Sequence, residues 1–204
     1  MANTENQQVA VEIAALTKSF GQGEEAVHAF GPSDLTVDHG EFVSLLGPSG
    51  CGKSTLLLMV AGLLNSSSGS IHVKGKAVSG PRTDIGIMFQ DNTLVPWRSV
   101  RGNIELQLEL RGLDVAEYAD RIDALLAQVS LQEFSDHAPY ELSGGMQQRA
   151  AFCQALIHEP DTLLLDEPLG KLDAMTREAI RQDLQLLWLQ KRQTVLLVLS
   201  LIHI

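Results

Sequence analysis

The sequence predicts an α/β fold with a largely parallel sheet and a helical insert. Three observations carry this reading. Strand-length apolar segments alternate with segments of helical period. One apolar strand runs straight into a glycine-rich turn and then a helix, and the texture turns helical after Gln90. Val9, Val11 and Ile13 alternate at period two and form the first strand, and residues 41–46 (EFVSLL) form the next. Residues 53–61 read as a helix stopped at Gly62, a C-terminal break. Short strands are expected over 70–73 and 85–89. Within 100–129 the apolar positions Ile104, Leu106, Leu108, Leu110, Ile122, Leu125, Leu126 and Val129 suit two amphipathic helices separated near Gly112. A helix over 143–157 ends before Pro160. A buried strand at 162–165 (TLLL), a long helix over 174–190 and a strand at 194–199 complete the pattern. The expected division is a core of 1–90 and 154–204, with a helical subdomain of 91–153 inserted.

Composition narrows the function. The 204 residues are 45% hydrophobic, which excludes a disordered chain. With 15 Lys+Arg against 25 Asp+Glu the net charge is −10, so nucleic acid is not an expected partner. Two distant cysteines, Cys51 and Cys153, and a polar start without the layout of a signal peptide point to a reducing cytosolic setting. No apolar run approaches the roughly 20 residues that cross a bilayer, so any membrane role is expected to act through a partner.

Three motifs carry chemistry. Gly47-Pro48-Ser49-Gly50-Cys51-Gly52-Lys53-Ser54 matches G-x-x-x-x-G-K-[ST], with a strand before it and a helix after it. Glycines let backbone N–H groups curl around phosphate oxygens, and the helix N-terminus adds positive potential. Lys53 would reach the terminal phosphates and the Ser54 hydroxyl would ligate Mg²⁺. In Leu163-Leu164-Leu165-Asp166-Glu167-Pro168, two acids end a buried strand. Packing alone does not ask for them there, although strand-end turns with two acids are common. Asp166 is placed to hold Mg²⁺ through its hydration shell and Glu167 to orient the attacking water. The third motif, Leu142-Ser143-Gly144-Gly145-Met146-Gln147-Gln148-Arg149, reads as a capped helix start and a second anion-binding device, or else as a plain capped turn.

On these residues the chain resembles the ATP-binding subunits of ABC transporters over about 10–198. Residues 47–54 match the family's Walker A, 162–168 its Walker B and 142–149 its signature, with Met146 where Gln is usual. The resemblance implies a P-loop NTPase core, with an N-terminal antiparallel β part beside the mostly parallel sheet. It implies ATP and Mg²⁺ as cofactors. Gln90 matches the Q-loop glutamine that contacts Mg²⁺ and water, and Leu172-Asp173 matches the D-loop, with Lys171 in place of a small residue. Thr55 completes the phosphate contacts. Ser143, Gly144, Gly145 and Gln147 would meet the nucleotide of a second copy. Phe20 stands where an aromatic ring stacks on adenine, although a lone Phe after a strand also suits a core. The family pairs head to tail and drives permease subunits, served by a solute-binding protein, at the cytoplasmic side of the membrane. The permease docks in a groove beside the helical insert. Residues 40–57, Leu94-Val95-Pro96-Trp97 and the Asp166-to-Arg177 stretch are similar to importers of nitrate, sulfonate, taurine or pyrimidine-precursor substrates. Trp97 fits either a plug beneath its loop or a contact with the membrane partner.

The last residues depart from the family, which has Thr-His-Asp after the final strand where Leu199 and Ser200 stand here. His203 comes too late to serve as the switch histidine. Residues 199–204 back-translate to a transposon mosaic end of sequencing libraries, so the natural frame is expected to end near Val198. The alternatives are an ATP-binding fragment without turnover and a soluble ABC ATPase of chromosome maintenance, repair or translation. The chromosome type needs a long coiled coil between its motifs and the translation type needs two cassettes; this chain has neither.

Overall fold

The computed structural model describes residues 8–21, 23–91, 93–168, 177, 178, 181 and 192–200. The predicted helix over 174–190 falls largely, and Lys171, Leu172, Asp173 and His203 fall wholly, outside these. In chain order the elements are β1 (Val9–Phe20), β2 (Val27–Asp38), β3 (Phe42–Gly47), α1 (Lys53–Val60), β4 (Ser68–Val73), β5 (Lys76–Ala77) and β6 (Ile85–Met88), then α2 (Val100–Glu109), α3 (Ala119–Gln128), α4 (Gly144–Leu156), β7 (Thr162–Asp166) and β8 (Thr194–Ser200). They fall into two compact units, one running to Ile85 with Asp161–Asp166 and the residues from Arg192, the other spanning Gly86–Pro160 with Glu167–Lys191. The whole of 91–153 lies in the second.

The first unit holds an antiparallel sheet of order β2-β1-β4-β5. Val11, Ile13, Leu16, Val37, Ile71 and Val73 are buried from it, while the alternate residues Glu12, Ala14 and Ser70 face water. The same unit holds a parallel ladder in which β8 pairs with β3 on one side and β7 on the other. Every residue of β7, and all of β8 but the half-buried Leu199, is buried. That is why both read as continuous apolar runs and not as alternating ones.

Strand β2 is the element that periodicity does not reveal. Its run VHAFGPSDLTVD contains Gly31-Pro32, which normally breaks a strand. Pro32 is tolerated because β2 is an edge strand, where a missing N–H costs no ladder bond. Gly31 sits at φ +84°, and a Cβ there would stand 1.9 Å from the Leu16 carbonyl oxygen. Only glycine lets β2 pass β1 this closely.

In the second unit the helices share a core that includes Ile104, Leu108, Ile122, Leu126, Leu131, Phe152 and Ile157. The start of α2 is capped twice. Ser99 Oγ accepts from Gly102 N at 3.1 Å, while the Val100 and Arg101 amides donate to the carbonyls of His137 and Ser135, each at 2.9 Å. At the far end of α4, Arg121 donates to the carbonyls of Leu156 and Ile157 and pairs with Glu159. A cation there completes orphan acceptors and opposes the helix dipole.

Phe152 is 2% exposed. Its replacement by Ala is expected to cost about 3–5 kcal/mol in urea unfolding; a loss well under that would mean that the site collapses around the gap.

Candidate functional site

The glycine turn between β3 and α1 is built to be tight. Gly52 adopts φ +92°, and a Cβ there would lie 2.3 Å from the Ala29 carbonyl oxygen and 3.1 Å from the Phe30 ring. The turn is therefore pressed against the backbone of β2, and only a residue without a side chain fits. Gly47 is buried at the end of β3, whereas Pro48, Ser49, Gly50 and Cys51 are exposed and Lys53, Ser54 and Thr55 half-buried. The Lys53 ammonium donates to the carbonyls of Gly47 at 2.8 Å and Pro48 at 2.7 Å, and sits 3.6 Å from Cys51 Sγ. It closes the loop on itself, holding its carbonyls inward. Ser49 Oγ lies 3.0 Å from Ser200 Oγ, a residue of the terminal run that the sequence sets apart from the natural frame.

The ladder also positions Asp166. It is in register with Val198, which pairs with Leu45 on the other side. Asp166 thus sits two strand spacings, about 10 Å, from a residue just before the glycine turn, at the same carboxyl edge of the sheet. Its side chain is 7% exposed. Buried acids need a cation or hydrogen bonds, and Asp166 has interactions with its surroundings.

Mg²⁺ suits this donor set. It prefers oxygen ligands, keeps several waters and takes the rest from phosphates, so one carboxylate and one hydroxyl, Asp166 and Ser54, satisfy its usual demand on protein. Among the described residues no cluster of three or more His, Cys, Asp or Glu offers a closed protein cage instead.

The second unit holds Gln90, Glu167 and the Ser143 motif. Gln90 Nε2 donates to Glu167 Oε2 at 3.0 Å. Glu167 adopts φ +46°, a left-handed conformation that a non-glycine residue holds only at a cost. Its carbonyl accepts from Gln148 Nε2 at 3.4 Å, a residue 7% exposed on α4. Sequence reasoning passed over Gln148. The available signal was its burial-facing position one turn past the Ser143 cap.

Ser143 caps α4 as expected, accepting from Met146 N at 3.3 Å. Ser143 and Gly144 are exposed, and among the described residues nothing lies within 4 Å of where a Gly144 Cβ would stand. Packing therefore does not require glycine at 144; the helix start is left bare toward solvent, as an anion site needs. Gln147 ties down the turn that precedes the cap. Its amide donates to the carbonyls of Pro139 at 2.7 Å and Leu142 at 3.3 Å.

Phe20 is 46% exposed at the end of β1, with Lys18 Nζ 4.9 Å from its ring centroid. It is not a core residue. Trp97 is 82% exposed, so it does not plug its loop. Asp173 lies outside the described residues. No described helix is long and apolar enough to cross a membrane.

Comparison with known proteins identifies the family and the fold. The ABC transporter family profile matches residues 30–170. The taurine import ATP-binding protein TauB of Jannaschia sp. is 44% identical over 173 residues, covering 85% of this chain and 65% of that protein. The aliphatic sulfonates import ATP-binding protein SsuB of Bacillus subtilis is 41% identical over 190 residues, covering 93% of this chain and 73% of that one. The chain thus spans about two thirds of the length of these relatives. Among solved structures, the dimeric post-hydrolysis state of the ATP-binding cassette MJ0796 bound to ADP and Pi superposes with a TM-score of 0.84 at 33% identity. It covers 92% of this chain and 87% of that one.

Gly52→Ala is expected to lower the melting temperature and to weaken binding of a fluorescent ATP analogue at least tenfold, or about 1.4 kcal/mol. Unchanged affinity would show that the contact with Ala29 does not shape the loop.

Proposed function

The chain belongs to the ABC transporter family, and from that premise we propose that it is the ATP-binding and ATP-hydrolysing subunit of an importer for a small anionic or organic solute. The sulfonate and taurine relatives favour that solute group, and nitrate is its near alternative. The observation that carries the reading is the Lys53-closed glycine turn pressed on β2, with Asp166 at the same sheet edge.

ATP phosphates take the place of the Gly47 and Pro48 carbonyls as partners of Lys53, exchanging neutral acceptors for charged ones. The N-terminus of α1 adds its dipole. Ser54 and Asp166 would hold Mg²⁺, which when bound offsets phosphate charge; a metal role for Gln90 rests on the resemblance. Glu167 accepts a proton from the attacking water as general base, with Gln90 fixing its carboxylate through Oε2. Phe20, exposed beside Lys18, offers a face on which adenine stacks.

The bare N-terminus of α4, with Ser143, Gly144 and Gly145, suits the terminal phosphate held by a second copy in a head-to-tail pair. Asp173 would stand at that junction. In this reading permease subunits hold the chain at the cytoplasmic face, where a solute-binding protein serves the importer, as the import relatives suggest.

Single-turnover hydrolysis of radiolabelled ATP tests this. Lys53→Ala is expected to abolish ATP binding. Glu167→Gln is expected to keep binding and to lose about 10²–10⁴-fold in turnover, the usual scale for a general base. Wild-type hydrolysis with an undiminished Glu167→Gln rate would remove Glu167 from the mechanism. Binding without any wild-type turnover would identify a nucleotide-binding fragment.

A further inference from the structure

We infer that Asn103 and Gln154 form a buried polar clasp that ties the exposed Pro96-Trp97 loop to helix α4, with Asn103 the positioning residue of that loop. The functional consequence rests on the head-to-tail reading above; the clasp itself does not.

Asn103 lies one turn into α2 and is 0% exposed. Its Oδ1 accepts from Val95 N at 2.6 Å. Its amide nitrogen lies 3.1 Å from the Val95 carbonyl, 3.1 Å from that of Arg98 and 3.0 Å from that of Ser99. One side chain thus holds the main chain on both sides of Pro96 and Trp97. Gln154, 6% exposed on α4, donates to the Asn103 backbone carbonyl at 2.8 Å and lies 3.5 Å from Oδ1.

Packing gives no reason for amides here. Asn103 shares the buried side of α2 with Val100, Ile104 and Leu108, and Gln154 follows the buried Phe152 and Cys153 on α4. Burying two amides is favourable only when their hydrogen bonds are made, and once made they fix one geometry where apolar side chains would permit several. What that geometry fixes is unusual: a proline and an 82% exposed tryptophan, held out to solvent by the interior of the unit. Arg98 adds a surface tie to Glu109, whose carboxyl the Arg98 hydrogen bond and charge hold below its usual value. The Trp97 loop and the helix that carries Ser143 and Gly144 therefore move as one piece. Where the α4 N-terminus closes on a phosphate, Trp97 is displaced with it.

The test uses the whole chain in a Trp188→Phe background, where Trp97 is the sole tryptophan of the two in the sequence. Gln154→Met keeps size and removes both donors. Without nucleotide, it is expected to raise acrylamide quenching and lower the anisotropy of Trp97 while the far-ultraviolet spectrum stays unchanged. With Glu167→Gln added and ATP bound, the parent is expected to show a Trp97 emission change. Gln154→Met is expected to bind a fluorescent ATP analogue equally well and to cut that emission change to about half or less, as coupled sites do and independent ones do not. Gln154→Glu, which keeps an acceptor in the same volume but cannot donate when ionised, should resemble Gln154→Met at pH 8; Gln154→Asn serves if Gln154→Met does not fold. Trp97 mobility identical to the parent in each folded variant overturns the clasp, as does full emission amplitude with Gln154→Met. A parent that binds no ATP overturns the proposed function instead, and the nucleotide-free quenching then decides the clasp alone.

Discussion

The parallel pairing of β8 with both β3 and β7 is the constraint on which the site depends. A parallel ladder forces all three strands to end on the same side, so the turn that leaves β3 and the Asp166 that ends β7 meet one edge without further instruction. The strands have to be buried to pair this way, and β7 and β8 are. A slip of one residue in β7 would swing Asp166 to the opposite face of the sheet, because side chains alternate at every step.

The second unit reaches order by another route. Its helices carry little apolar surplus on their outer faces, and their ends are secured by specific donors. Arg121 finishes α4, Ser143 starts it, and carbonyls from 135 and 137 start α2. Such polar fixtures contribute modestly to stability but strongly to which arrangement is adopted.

Much of this was legible in the sequence because it is local. The glycine turn, its lysine and its flanking elements lie within a few residues, and the cap at Ser143 is written in the residues that follow it. Fold class, family and the two acids after 165 follow from such runs. What stayed hidden is non-local or contrary to propensity. The bond from Gln90 to Glu167 joins residues 77 positions apart. Strand β2 carries a proline that only its place at an edge allows. Phe20 and Trp97 could have been core by composition, and their exposure is decided by where the chain turns. Asn103 left one trace, an amide on the apolar stripe of an amphipathic helix, which a period count registers merely as a mismatch.

The self-closure of Lys53 also bears on speed and selectivity. The ammonium already rests on two main-chain oxygens, so on the proposed function nucleotide entry would exchange one set of acceptors for another. A guest lacking anionic oxygens has nothing to offer in that exchange. On the proposed function, such a loop would favour polyphosphates over nucleosides at the threshold, by charge.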